Sequence, residues 1–275
     1  MSQTRSLRAA LLAACGIFAA AAVSAQTPTG QTPTATPEDN PFSAAQSQAI
    51  DRMIRAYIIK HPDVLLEAQT VLDAQAETRR VDVIRKVLTD NKQLIYHDPE
   101  LPFIGNPKGD VIVVEFFDYN CPYCRKAAPD LAKLVASDRN VKVVFQEFPN
   151  LSAASAAVSH IVLAAKRQGK YYELHRALLD LTGPTNEARA YEIAAKLGLD
   201  VARLKQDAAL PEVKKALASA RTVVARLNLE GTPMFLVGDR YIQGMPENFY
   251  DELTKRVAEV RAEGCTICRA DKSPS

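Results

Sequence analysis

Two cysteines three residues apart, Cys121 and Cys124, have the residue type and the spacing that thiol–disulfide chemistry requires. They enclose Pro122 and Tyr123. If a helix begins here, the two sulfurs lie on one face and can close a small disulfide ring, and Pro122 falls in the first turn, where its missing N–H costs nothing. Cys121 then faces free backbone N–H groups and the positive end of the helix dipole, which lower the pKa of its thiol. Because a low-pKa thiolate is a good leaving group, the pair predicts a disulfide that reacts readily with thiols.

The segments on either side of the cysteines predict how they are positioned. Residues 111–117, VIVVEFF, are β-branched, aliphatic or aromatic except for Glu115. A run of this length favours a buried strand over a core helix. Asp118 and Asn120 then predict a turn, and a helical pattern covers residues 125–135. A structural cysteine pair or half of a zinc site is the alternative, and the strand–turn–helix context disfavours it.

The segment EFFDYNCPYC, residues 115–124, resembles the active-site segment of the DsbA-type thioredoxin-fold oxidoreductases. The resemblance implies that Cys121 is the attacking nucleophile and Cys124 the resolving cysteine. It also implies that Glu115 is an acid buried beneath the disulfide that moves protons during exchange. The best-known oxidases have His where this chain has Tyr123, which cannot supply the same charge or ring N–H donors. Our hypothesis is that this disulfide is less oxidising than those of the His-containing relatives.

A second motif lies more than a hundred residues further along the chain. Residues 230–244, EGTPMFLVGDRYIQG, predict a hairpin that Thr232 and Pro233 precede. In the family that the chain resembles, the proline at this place is cis and lies against the CxxC pair, and the backbone beside it pairs with an extended substrate peptide. The resemblance thus implies a substrate-binding groove formed by Thr232, Pro233, Pro122 and Tyr123. Without the resemblance, this motif is only a turn before a strand.

The pattern of elements predicts an α/β protein with a thioredoxin-like domain over residues 98–264. Residues 141–148 predict a strand that completes a right-handed βαβ unit with the first. Residues from about 152 to 228 contain only helical periodicity, and Pro211 is expected to open a new helix among them. Met245, Pro246 and Glu247 are expected to open the last helix of the chain. A helical insertion is what distinguishes the DsbA-type fold from thioredoxin. His160 and His175 lie within this insertion, where we expect surface or packed histidines rather than metal ligands.

Residues 42–97 predict an α-helical extension ahead of this domain. Ser43 can cap a first helix, the Lys-His-Pro sequence at 60–62 breaks it, and Asp63 opens a second. The HPDVLLEA segment resembles the suppressor-of-copper-sensitivity C-type periplasmic proteins and the related Com1-like proteins. Some of these are dimers or trimers through the extension, so residues 43–96 are expected to support a homodimer or homotrimer. The alternative is that the helices pack on their own catalytic domain.

The first residues of the chain indicate export. Residues 1–25 combine a basic start, an apolar stretch and a Val-Ser-Ala cleavage site, which is typical of a signal peptide. Cys15 also fits a lipoprotein cleavage box, although the apolar stretch continues beyond it. Residues 26–41, rich in Thr, Pro and Gln, predict a disordered linker. Without the signal peptide, Lys plus Arg equals Asp plus Glu, and nothing suggests a nucleic acid partner.

Two further cysteines, Cys265 and Cys268, form a second CxxC in a polar tail, residues 265–275. The distance along the chain from the first pair is unlike an ordinary zinc ribbon. We expect a local disulfide; a metal site or an electron relay to Cys121 and Cys124 is the alternative. No resident metal and no cofactor are predicted.

The sequence therefore predicts a periplasmic thiol:disulfide oxidoreductase. Its expected partners are unfolded or misoxidised exported proteins and a membrane redox protein of the DsbB or DsbD type. An oligomer would favour a disulfide isomerase and a monomer a dithiol oxidase. A thiol-based copper-binding or copper-tolerance protein is the alternative from a different class. A glutaredoxin shares the CPYC motif, but the signal peptide and the helical insertion argue against one.

Overall fold

The computed structural model describes residues 41–265 and 267–268. The expected signal peptide, Cys15, nearly all of the linker and the end of the tail lie outside the described residues. The chain divides into two compact units, one ending at Ala68 and the other beginning at Gln69. Within the described ranges, no helix is both long enough and apolar enough to cross a membrane.

The first unit contains helix α1 (Ala44–Lys60) and the start of helix α2 (Asp63–Asp90). Ser43 caps α1 as predicted: the Gln46 N–H donates to Ser43 Oγ, and the Ser43 N–H donates to Gln46 Oε1. This reciprocal pair is a capping box. None of the α1 residues is buried, and large apolar side chains of this unit are exposed, namely Phe42, Met53, Ile54, Tyr57, Ile59, Leu65 and Leu66.

A five-stranded sheet in the order β1-β3-β2-β4-β5 lies at the centre of the second unit. Its strands are β1 (Phe103–Gly105), β2 (Val111–Phe117), β3 (Val141–Glu147), β4 (Met234–Val237) and β5 (Arg240–Gln243). β2 and β3 are parallel, and the other pairs are antiparallel. Helix α3 (Pro122–Ser137) joins the parallel pair, which confirms the predicted βαβ unit. Because β2 is covered on both faces, its sequence is almost continuously apolar.

The helices of the second unit follow the predicted order. The insertion consists of α4 (Ala153–Ala165), α5 (Tyr171–Leu179), α6 (Glu187–Lys196), α7 (Val201–Ala208) and α8 (Pro211–Leu227). Pro211 opens a new helix as expected. The last helix, α9 (Phe249–Glu263), begins later than the predicted start at Met245. Pro246 accounts for the exclusion of Met245 from the helix, because the residue before a proline resists the helical conformation.

Two groups of buried side chains cover the faces of the sheet. On one face, α3, the insertion and α9 pack against alternate residues of β2 and β3, including Val113, Phe117 and Phe145. On the other, Ile84 and Leu88 of α2 and Tyr96 pack with α8 and the remaining β2 residues. The Tyr96 hydroxyl donates to the Gly238 carbonyl oxygen at 2.8 Å. The end of the segment predicted as an extension thus contributes to the core of the second unit.

Candidate redox site

Cys121 lies at the N-terminus of α3, immediately after the turn that follows β2. It occupies the N-cap position, and Pro122 is the first helical residue. Asp118 shapes the turn: one carboxylate oxygen accepts the Asn120 N–H at 2.7 Å, and the other accepts the N–H groups of Asn150 and Leu151 at 3.0 Å. The strand end therefore fixes where the helix begins, and with it the position of Cys121.

The two cysteines are free thiols in this structure, and both are buried. A hydrogen bond from the Cys124 side chain is the largest cause that lowers the pKa of Cys121 to about 6. Thr232 and the backbone N–H groups of Tyr123 and Cys124 lower it further, while burial acts in the opposite direction. Burial raises the pKa of Cys124. Near neutral pH, Cys121 is thus mostly a thiolate and Cys124 a thiol, which is the division of roles that exchange needs.

Thr232 and Pro233 lie beside Cys121, as the resemblance implied. The bond between them is cis. The Thr232 carbonyl oxygen is 3.2 Å from Cys121 Sγ, a hydrogen-bond distance for the thiol form. Tyr123 is 55% exposed, so a group approaching Cys121 would meet this ring. Lys126 Nζ lies 5.6 Å from the centre of the ring and places a positive charge nearby.

Glu115 is completely buried in β2, and its carboxylate oxygens have no hydrogen-bond partner among the described residues. Burial raises its pKa well above the ordinary value, and the charges of Cys121 and Glu147 raise it further, whereas Arg176 lowers it. The charge of Glu115 also raises the pKa of Cys124. Glu115 therefore holds its proton more strongly than an exposed carboxyl group does, and its ionisation is coupled to that of both cysteines.

Two groups of residues around this site were not assigned to it from the sequence. Arg125 follows Cys124 and donates to the Tyr119, Leu181 and Gly183 carbonyls and to Thr185 Oγ1. It ties the residues between α5 and α6 to the turn that precedes Cys121. We call these four hydrogen bonds the Arg125 clamp. A basic residue directly after the CxxC was the only sequence signal for it.

The second group surrounds Glu147 at the end of β3. Its carboxylate accepts hydrogen bonds from Tyr119, Ser159 and Tyr171, and Tyr119 also contacts His175. His175 is a packed histidine, as expected, in contact with the rings of Phe117 and other aromatic residues. An acid that ends an apolar strand was a signal for this group, but the residues around it are brought together only by the fold.

Cys265 and Cys268 are joined in a disulfide just after α9. Cys265 is buried with the core residues of α9, and the Cys268 N–H donates to Cys265 Sγ at 3.2 Å. A β-carbon added to Gly238 would lie 3.4 Å from the Cys265 side chain, so the disulfide packs against the turn between β4 and β5. Among the described residues, no group of three or more His, Cys, Asp or Glu side chains could hold a metal ion.

A thioredoxin fold with a helical insertion and a CxxC at the start of α3 defines the class of this protein. Residues 112–258, more than half of the chain, match the DSBA-like thioredoxin domain family. The chain belongs to this family, whose members include thiol:disulfide oxidoreductases. Residues 46–78 match a second family, the copper resistance protein ScsC N-terminal domain.

Solved structures agree with this assignment. A thioredoxin-like oxidoreductase from Silicibacter pomeroyi is 41% identical, and the match covers 62% of this chain and 98% of that one with a TM-score of 0.60. The ScsC protein of Proteus mirabilis in a transitional conformation is 26% identical, over 81% of this chain and 100% of that one, with a TM-score of 0.59. The second match also includes the N-terminal helical region.

Curated relatives match over parts of their length. The thiol:disulfide interchange protein DsbA of Bordetella pertussis is 26% identical over 155 residues, 55% of this chain and 73% of that protein. The Na(+)/H(+) antiporter NhaA 1 of Salinispora arenicola is 29% identical over 152 residues. The chain spans only 23% of the length of that antiporter.

Proposed function

We propose that this chain is an exported thiol:disulfide oxidoreductase that exchanges disulfides with other exported proteins through Cys121 and Cys124. The observation that carries the proposal is the Cys121 sulfur, whose pKa is lowered to about 6 and which lies beside the Thr232 carbonyl and the cis bond to Pro233. The signal-peptide pattern of residues 1–25 supports a periplasmic location. So does the similarity to a solved structure, a periplasmic thioredoxin-like protein from Salmonella enterica.

In the oxidising direction, a substrate thiolate attacks the sulfur of Cys121 in the Cys121–Cys124 disulfide. The S–S bond breaks, and its electron pair leaves with Cys124. A second substrate thiolate then attacks the substrate sulfur of the mixed disulfide and releases Cys121 as a thiolate. In the isomerising or reducing direction, the Cys121 thiolate attacks a substrate disulfide first, and Cys124 resolves the mixed disulfide. The same two residues serve both directions, and the redox partner selects between them.

Glu115 supplies the proton in this scheme. Cys124 leaves as a thiolate but has a raised pKa, so it must be protonated quickly. Burial raises the pKa of Glu115 well above its ordinary value, so it retains a proton that it can give, and its carboxyl group has no competing hydrogen bond among the described residues. When Cys124 is deprotonated again in the reverse reaction, Glu115 takes the proton back. Thr232, Pro233, Pro122 and Tyr123 form the groove for the substrate peptide.

The N-terminal helices favour an oligomeric isomerase over a monomeric oxidase. The first unit buries none of the α1 residues and exposes seven large apolar side chains, which a second and third copy would cover. Several copies would bring more than one CxxC site to the same substrate, which suits isomerisation. The redox partner is then a membrane protein of the DsbD type, which keeps the site reduced, rather than one of the DsbB type.

Activity assays with reduced and with scrambled ribonuclease test the proposal. Cys121→Ser should abolish both oxidation and isomerisation, Cys124→Ser should accumulate a mixed disulfide, and Cys265→Ser/Cys268→Ser should retain activity. Full activity in Cys121→Ser would refute the proposed function. A redox titration against glutathione tests the effect of Tyr123, since a potential equal to or above that of the His-containing relatives would reject a weaker oxidant.

Light scattering tests the oligomer. Ile54→Glu with Leu66→Glu should lower the solution mass and the isomerase activity, while oxidation of reduced ribonuclease continues. Leu151→Glu, a comparably exposed apolar residue of the second unit, should leave the mass unchanged. A truncation should end at Ala68, because Ile84, Leu88 and Tyr96 belong to the core of the second unit. A wild-type monomer that only oxidises would contradict the isomerase.

Copper binding is a second candidate, favoured by the match of residues 46–78 to the copper resistance protein ScsC N-terminal domain. Cys121 and Cys124 in the reduced state are the soft ligands that Cu(I) prefers. A Cu(I) titration of the reduced protein should give a stoichiometric complex that Cys121→Ser loses. Binding that survives in Cys121→Ser and disappears in Cys265→Ser/Cys268→Ser would assign copper to the other pair.

A further inference from the structure

Glu147 is a second buried acid close to the redox site. It ends β3 and is 3% exposed. One carboxylate oxygen accepts hydrogen bonds from the Tyr119 hydroxyl at 3.0 Å and the Tyr171 hydroxyl at 3.1 Å. The other accepts the Ser159 hydroxyl at 2.7 Å. Three hydroxyls from the turn before Cys121, from α4 and from α5 thus converge on one carboxyl group, which has no part in the exchange steps above.

Tyr119 connects this group to Cys121. It is completely buried and lies two residues before Cys121, in the turn that positions α3. Its hydroxyl oxygen is 3.1 Å from His175 Nδ1 as well as 3.0 Å from Glu147. A tyrosine hydroxyl has one hydrogen, so it can donate to only one of the two at a time. The protonation state of Glu147 therefore affects whether the Tyr119 hydroxyl donates to Glu147 or to His175.

Glu115 couples Glu147 electrostatically to the two cysteines. The parallel register pairs Glu115 with Phe145 and Phe117 with Glu147, so both acids lie on the same face of the sheet, on neighbouring strands. Both are buried, where little water screens one charge from the other. A negative charge on Glu147 raises the pKa of Glu115, whose own charge is coupled to Cys121 and Cys124.

The groups that face Glu147 come from four elements. Burial is the largest cause that raises its pKa to about 8, and the charge of Asp118 raises it further. Ser159, Tyr119 and Tyr171 lower it by hydrogen bonding. His175 is neutral, because burial and Arg176 lower its pKa to about 3. Arg176 on α5 also lowers the pKa of Glu115.

We propose that Glu147 is a positioning acid of the redox site, which acts on Cys121 through the hydrogen bond to Tyr119 and through the charge of Glu115. The inference deepens the proposed function and rests on it, because it takes Cys121 and Cys124 as the exchanging pair. While Glu147 is protonated, it does not oppose the ionisation of Cys121 or of Glu115, which gives up its proton during exchange. When Glu147 ionises, its charge opposes both ionisations and disfavours the reduced form of the site.

The test is the equilibrium constant between the full-length protein and glutathione, measured from pH 6 to 9.5 for the wild type and Glu147→Gln. Glutamine keeps the contacts, since its carbonyl oxygen can accept from the two tyrosines and its amide can donate to Ser159. The two proteins should agree below pH 7. Above pH 8, the reduced wild type should be disfavoured relative to the variant, on the order of tenfold for one pKa unit of coupling.

Three further variants separate a charge effect from a structural one. Ser159→Ala removes a donor that lowers the pKa of Glu147, so the divergence from Glu147→Gln should begin at higher pH. In a Glu115→Gln background, replacing Glu147 should have a smaller effect. Asp207→Asn, which neutralises a buried acid of α7 that pairs with Arg167, should follow the wild type.

Parallel curves for the wild type and Glu147→Gln at every pH, or a constant offset between them, would overturn the inference. If Glu147→Gln does not fold, Ser159→Ala is compared with the wild type, and a pH dependence of the equilibrium constant that begins at the same pH in both would overturn the inference equally. These outcomes are distinct from a failure of the proposed function, which is tested by ribonuclease exchange in Cys121→Ser.

Discussion

The side chain of Cys124 should control the acidity of Cys121, and removing its hydrogen-bond donor should raise the pKa of Cys121. The Cys124 side chain is the largest single cause of the lowered pKa, ahead of Thr232 and the backbone N–H groups. A hydrogen bond to a charged group contributes about 1.5–3 kcal/mol, and one pKa unit corresponds to about 1.4 kcal/mol. In Cys124→Ala, the pKa of Cys121 should therefore rise from about 6 by about one to two units.

Cys124→Ser is the matched control. Serine replaces the thiol with a hydroxyl that can still donate to Cys121, so the pKa of Cys121 should stay near 6. Both variants carry one thiol at this site, so the titration reports on Cys121 alone. The Cys265–Cys268 disulfide does not titrate and can remain in place.

The assay is the ultraviolet absorbance of the thiolate as a function of pH, with the pH dependence of alkylation by iodoacetamide as a second measurement. If Cys124→Ala and Cys124→Ser both titrate near 6, the backbone N–H groups and Thr232 would be sufficient to explain the low pKa. That result would refute the role assigned to the Cys124 side chain.

Three further predictions concern the stability of the reduced protein and the hydrogen bonds of Arg125 and Tyr96. Because folding lowers the pKa of Cys121 from 9.0 to about 6, its stabilisation is complete above pH 9 and is lost as the pH falls through 6. In urea unfolding under reducing conditions, the difference in free energy of unfolding between the wild type and Cys121→Ser should widen as the pH rises from 6 to 9. A difference that stays constant with pH would contradict this link between the pKa of Cys121 and stability. Arg125→Ala should cost about 2 kcal/mol and speed amide exchange at Thr185, whereas unchanged exchange would argue against the clamp. Tyr96→Phe should cost about 1–2 kcal/mol in thermal unfolding because the buried Gly238 carbonyl loses its donor, and a neutral result would exclude this contribution.

Local patterns were sufficient for most of the fold. The apolar run of residues 111–117 predicted β2, because a strand buried on both faces has no polar alternation. Capping and proline signals predicted the start of α1 at Ser43 and that of α8 at Pro211. The start of α9 was predicted too early, since Met245 and Pro246 fit the apolar pattern of a helix but not its backbone.

The site was predicted in part. Cys121 and Cys124 were evident from their spacing, and the resemblance supplied Glu115, Thr232 and Pro233. The sequence marked Glu147 as an acid at the end of an apolar strand, but it did not indicate that Glu147 and His175 would meet near the cysteines, because one ends β3 and the other lies within α5. Their contact depends on how α5 packs over the sheet, which no local pattern encodes.

The sequence by itself determined the chemistry and the class of this protein: a CxxC pair at a helix start, an acid in the preceding strand, a Thr-Pro motif before a hairpin, and an insertion of helices. These features depend on residues that are close in sequence, so periodicity and turn preferences are sufficient to predict them. The tertiary structure determined the pKa values of these groups. The pKa of Cys121 falls and those of Glu115 and Glu147 rise because the fold removes water and brings distant donors and charges together. Burial and long-range contacts are properties of the packed sheet and its helices, and they exist only once the chain has folded.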